Sequence, residues 1–120
     1  MIVVHGLKNC DTCRKALKWL EAEGLEHRFH DVRGDGLTAD ALGRWVGALG
    51  WEALLNRRGT TWRKLPADET AAVDEAAAVR LMLAHPALIK RPVFAAGGQI
   101  IVGFKAGQQA ALQAAAGGQG

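Results

Sequence analysis

The sequence predicts an α/β fold, ordered β-α-β, a helical block, then β-β-α, and three observations carry the prediction. A β-branched run at Ile2-Val3-Val4 gives way after Gly6 to an amphipathic stretch, and a second alternating run follows Gly24. The middle third keeps a helical period between glycine breaks. The last third returns to strand character on both sides of Gly97-Gly98. At 120 residues the chain is read as one domain, 1–120, long enough to bury a core without disulfides or metals.

Residues 2–6 form the first strand. Asn9 or Asp11 is placed to cap a helix that runs to about Glu23 and stops at Gly24. Ala16, Leu17, Trp19 and Leu20 supply its apolar face, and Arg14, Lys15 and Lys18 its solvated one. Leu25 to Val32 alternates as a second strand, parallel to the first through a right-handed crossover. Gly34-Asp35-Gly36 is a turn.

Thr38 caps a helix carrying Leu42, Trp45, Val46 and Leu49, which Gly50 ends. Trp51 to Leu55 is a short helical turn, and Asn56 to Trp62 a polar loop. One further helix is expected from Asp68 to about Ala84, broken by His85-Pro86. Val93-Phe94-Ala95 and Ile100-Ile101-Val102 flank Gly97-Gly98, the hairpin signal. A last helix covers roughly 106–115, and Gly117 to Gly120 is expected to fray. This order is that of a thioredoxin-like sheet, 1–33 and 86–116, with a helical insertion at 34–85.

Hydrophobic content of 49% and charged content of 22% fit an ordinary globule. The net charge of +3 is mild and its cations are spread, apart from Arg57-Arg58 and Arg63-Lys64. That balance favours small anions over direct nucleic-acid binding. No apolar run approaches a membrane span. No signal-like segment opens the chain, so a cytoplasmic, reducing setting is expected.

Chemistry concentrates at Cys10 and Cys13, the chain's two cysteines. A C-x-x-C pair between a strand and a helix start is the redox geometry of thioredoxin-like folds. A helix N-terminus favours a thiolate, the attacking species in disulfide exchange. A zinc site would need two more ligands. His5, His27, His30 and His85 show no matching spacing, and no metal is expected. The bland alternative is two small buried hydrophobes, against which stands the polar, turn-like Asn9-Cys10-Asp11-Thr12. His5 and His30 fall on strands and read as packed, and His85 as a helix end. Trp19, Trp45 and Trp51 read as core, and Trp62 as a residue of the site or of a hinge.

Three blocks resemble the arsenate reductase (ArsC)-like family, and within it the Spx/YffB branch. They are Asn9 to Ala16, Leu54 to Leu65, and His85 to Pro92. The resemblance spans about residues 2–112. It implies a thioredoxin-like fold with a helical insertion, in a cytoplasmic bacterial protein. Cys10 matches the family's nucleophile, and Arg91 the arginine before a proline, Pro92, that is usually cis. Arg57 and Arg58 lie where arsenate reductases place another anion-binding arginine, a position that aligns nearer Asn56. A third family arginine has no match, and Phe104-Lys105 stands there, which speaks against true arsenate reduction. Cys13 matches the second cysteine of the Spx proteins.

The resulting expectation is a thiol-disulfide oxidoreductase. Cys10 attacks and Cys13 resolves or modulates, with Lys8, Arg14 and Arg91 as nearby cations. Arg91, then Arg58 or Arg57, clamps an anionic group, with Asn9, Thr12 and Pro92 around the substrate. Glutathione is the expected co-substrate and glutaredoxin a possible partner, with no tightly bound cofactor. A Spx-like regulator that binds RNA polymerase is the competing expectation, and a true arsenate reductase a third.

Overall fold

The computed structural model describes residues 1–117, and the end of the tail expected to fray lies outside them. The Cα packing divides the chain into two units, 1–36 together with the segment from Arg91 on, and 37–90.

The first unit is built on a four-stranded sheet of order β2-β1-β3-β4. β1 is Ile2–Gly6, β2 His27–Asp31, β3 Val93–Ala96 and β4 Gln99–Val102. β1 and β2 are parallel, with helix α1 (Asp11–Ala22) between them as the expected crossover. β3 returns antiparallel to β1, and β4 antiparallel to β3. Gly97 and Gly98, at φ +56° and +79°, make the tight turn between them, a conformation side-chain-bearing residues rarely adopt. In β1, Ile2, Val4 and Gly6 are buried while Val3 and His5 are half-covered, the period of two written in the sequence.

One face of the sheet packs a core of Ile2, Val4, Phe94 and Ile101 against Ala16 and Leu20 of α1 and Leu112 of α7 (Ala106–Gly117). Trp19 closes the edge of this core, its ring 5.6 Å from that of Phe104 in an edge-to-face contact. His5 Nδ1 lies 3.1 Å from the Val93 carbonyl, and its ring 5.4 Å from that of His30, so these histidines are packed as expected.

The second unit holds α2 (Ala39–Leu49), α3 (Trp51–Leu54), α4 (Thr60–Arg63), α5 (Ala67–Thr70) and α6 (Glu75–Ala84), then a 3₁₀ turn at Pro86–Leu88. Leu42, Trp45, Leu54, Leu81, Met82 and Leu88 form its core. Its last residues are tied back to the end of α3 and the segment after it by Asn56 N–H to Leu88 O and Lys90 N–H to Leu54 O, both 2.7 Å.

Four expectations change. The polar loop is shorter, because α4 starts inside it at Thr60. The single helix at 68–84 is two, α5 and α6, separated at 71–74. Asp74 stays extended there and its carboxylate takes the Ala77 N–H at 2.9 Å, restarting the helix rather than continuing it. The last helix runs on to Gly117. Neither Asn9 nor Asp11 caps α1: Cys10 is the cap residue.

Candidate functional site

The strand register assembles the site. β1 pairs with β3 as His5 with Val93, so the residues after His5 run beside those before Val93. β1 pairs with β2 as Gly6 with Asp31. The loop Leu7–Cys10, the end of β2 and Arg91 therefore meet at one end of the sheet. They line a cavity of about 300 Å³ that includes Lys8, Asn9, Cys10, Asp31, Arg33 and Arg91. The Arg91–Pro92 bond is cis.

Cys10 sits at the N-terminus of α1 in extended conformation, φ −103° and ψ 117°. Its N–H donates to Leu7 O at 3.2 Å and its carbonyl accepts from Arg14 N–H at 3.0 Å. Cys10 is half-buried and Cys13 buried, both as free thiols. One turn along the helix, the Cys13 sulfur lies against Gly6, where any Cβ would collide with it. Gly6 is thus the residue that admits Cys13 beneath the strand.

The two thiols are driven apart. Burial pushes Cys10 upward, but the Cys13 N–H, the Cys13 thiol and the Arg91 guanidinium outweigh it, the last by hydrogen bond and charge. The net effect holds Cys10 below the ordinary thiol value of 9.0. The Cys13 N–H faces the sulfur without the geometry of a full capping hydrogen bond. Burial is also the largest influence on Cys13. Together with the hydrogen bond to Cys10 and the negative charge there, it pushes Cys13 up to about 12, against the Leu7 backbone and Arg91. The split favours the thiolate at Cys10 and keeps the proton on Cys13.

The other expected residues distribute plainly. Arg91 and Asn9 share the cavity with Cys10. Pro92 is buried directly after Arg91, and Thr12 is exposed in the first turn of α1. Arg14 donates to Lys8 O at 3.2 Å and pairs at 3.4 Å with Asp11, an exposed contact worth little. Arg57 and Arg58 line a cavity of about 370 Å³ within the helical unit, with Glu52, Asn56 and Lys90. The Arg57 guanidinium lies 5.7 Å over the Trp51 ring there. Trp62 is half-buried in α4, and His85 ends α6. Among the described residues no three His, Cys, Asp or Glu side chains gather as a metal site. No helix among them is long and apolar enough to cross a membrane.

Two charged lining residues escape a reading of the sequence, Asp31 and Arg33. The signal available for Asp31 is an acid at the buried end of an alternating strand.

Comparison with known proteins agrees with this architecture. The ArsC family profile matches residues 5–112. The solved structure of a YffB protein is 46% identical, with a TM-score of 0.88, covering 93% of this chain and 98% of its own. An arsenate reductase (ArsC) related protein from Brucella melitensis is 49% identical, with a TM-score of 0.75 and 92% of each chain covered. Global transcriptional regulator Spx 2 of Bacillus anthracis is 24% identical over 107 residues, 87% of this chain and 80% of its own.

Proposed function

The chain belongs to the ArsC family, and from that premise we propose that it is a cytoplasmic thiol-disulfide oxidoreductase acting on glutathione-linked disulfides, with Cys10 as nucleophile. The observation that carries the reading is the split between the two thiols: Cys10 opens α1 in the cavity it shares with Arg91, and Cys13 lies buried one turn on.

The chemistry follows from that split. The Cys10 thiolate attacks one sulfur of a glutathione mixed disulfide. A new S–S bond forms to Cys10 as the old one breaks, and the departing thiolate takes a proton. Arg91 is the clamp for a carboxylate of the bound glutathione. Once Cys10 carries the adduct its charge is gone, and with it one of the causes that keep Cys13 protonated. Cys13 can then attack Cys10 Sγ, releasing glutathione and leaving a Cys10–Cys13 disulfide for two external thiols, or glutaredoxin, to reduce. Alternatively a second glutathione attacks the adduct and departs as glutathione disulfide, restoring Cys10 directly. In the first route two external thiols supply the two electrons that the substrate disulfide takes up; in the second one glutathione thiol is consumed and the disulfide bond passes to glutathione.

The test is turnover of a glutathione mixed disulfide by wild type and Cys10→Ser. Activity is expected to fall to background in the variant; full retention would end the reading. Arsenate turnover with glutathione and glutaredoxin, measured beside it, tests the third expectation.

A second reading is favoured by the C-x-x-C itself together with the Spx relatives. In it the Cys10–Cys13 pair is a redox switch on a regulator that binds RNA polymerase. Co-purification of polymerase subunits under one redox condition and not the other supports that reading, and their absence under both counts against it.

A further inference from the structure

Among the described residues one charged side chain is buried, Asp31 at 7% exposure. Burying a carboxylate is costly unless its lone pairs are satisfied. Its Oδ1 accepts the N–H of Arg33 at 2.8 Å and of Gly34 at 2.9 Å. The Lys8 N–H faces the same carboxylate without the geometry of a full hydrogen bond, and the Lys8 ammonium adds its charge. The main chain of Asp31 is tied as well. Its N–H donates to Asp35 Oδ2 at 2.9 Å, and its carbonyl accepts the Asp35 N–H at 2.8 Å.

These groups stand on two walls of one cavity. One wall is the turn after β2; the other is the Leu7–Cys10 loop, which delivers the nucleophile. The loop itself has few ties, chiefly Cys10 N–H to Leu7 O and Arg14 to Lys8 O. The reaction written above gives Asp31 no part. We propose that Asp31 is a positioning residue: its carboxylate fixes the Arg33–Gly34 turn and faces Lys8 across the cavity, and so holds the Leu7–Cys10 loop with the Cys10 thiol on Arg91. The inference rests on Cys10 being the nucleophile.

Removing the carboxylate has two effects of opposite sign. Losing a negative charge beside the cavity favours the Cys10 thiolate. Losing the tie frees the loop, weakens the contacts to Arg91 and to Cys13, and disfavours it. The other charges around Asp31, namely Lys8, Arg33, Asp35 and Arg91, stay in place in either case.

The experiment is the rate of iodoacetamide alkylation of Cys10 against pH, with the modified site assigned by peptide mass. It uses the full chain, Asp31→Ala and Asp31→Asn, with thermal melts alongside. Asp31→Ala is expected to move the alkylation midpoint upward by about one pH unit. Asp31→Asn moves it upward by less, because the amide oxygen still accepts from Arg33 and Gly34. A midpoint unchanged or lowered in both variants overturns the proposal, even where the melting temperature falls, because a merely structural or merely electrostatic role gives that result. Where Asp31→Ala does not fold, the direction of the Asp31→Asn midpoint decides alone. A wild-type midpoint at the free-thiol value overturns the reading of Cys10 and this inference with it. A low wild-type midpoint that the variants leave in place overturns the inference only.

Discussion

The helix that carries the cysteines begins differently from the two long helices of the 37–90 unit. α2 starts at Thr38, whose hydroxyl accepts the Ala41 N–H at 3.1 Å, and α6 at Asp74, whose carboxylate accepts the Ala77 N–H at 2.9 Å. α1 starts at Cys10 with no side-chain capping hydrogen bond. A capping oxygen is worth about 1 kcal/mol. α1 forgoes it and leaves its first-turn N–H groups and partial positive charge to a sulfur. The difference separates a helix end built for stability from one built for a thiolate.

Cys10→Ser breaks the comparison most sharply. It supplies the missing capping oxygen, so activity falls to background while stability rises by about 0.5–1 kcal/mol in urea denaturation. A less stable Cys10→Ser would mean that the sulfur already stabilises the helix as well as an oxygen does.

Next in size is Gly6→Ala. Its Cβ meets the Cys13 sulfur, and overpacking of this kind costs about 1–3 kcal/mol. Pairing it with Cys13→Ala recovers most of that loss if the collision is its cause, which a double-mutant cycle reads directly.

Thr38→Ala and Asp74→Ala are each expected to cost about 1 kcal/mol by thermal or chemical melts. Both leave the pH profile of Cys10 alkylation where it was. A shift of that profile in either variant would show that the helix starts are coupled, not separate in purpose.

The smallest effect is the slope of stability at alkaline pH. Cys13 keeps its proton in the folded chain up to about 12, against 9.0 for an ordinary thiol. Its contribution is whole below pH 9 and is lost as pH rises toward 12. Cys10 is shifted the other way, so its contribution is already complete above 9.0 and adds no slope in that window. Cys13→Ser should therefore flatten the decline in melting temperature above pH 9. An unchanged slope would assign it to other groups.

Much of the fold is legible because the deciding interactions are local. The alternation of Ile2 to Gly6, the Thr38 cap and the Gly97-Gly98 turn each act over a few residues, and each stands where the sequence puts it. The break at 71–74 was not legible. Glu69 to Leu83 is rich in alanine and helix-compatible throughout, and only the Asp74 carboxylate, choosing the Ala77 N–H, divides it. The α1 cap departs from the sequence expectation for a related reason. Asn9 and Asp11 are the stronger capping types, but the Leu7–Cys10 turn sets the phase of the helix and places Cys10 at its start.

Sequence by itself determined the strand and helix order, the hairpin, and the placing of two thiols one turn apart at a helix start. These depend on periodicity and turn chemistry, which are properties of neighbours along the chain. Tertiary structure alone decided what the thiols are. Pairing of β1 with β3 brings Arg91 to Cys10, pairing of β1 with β2 brings Asp31 to the same cavity, and the bare Cα of Gly6 admits Cys13 beneath the strand. Ionisation follows burial and the charges within a few ångströms, and residues distant in sequence supply both.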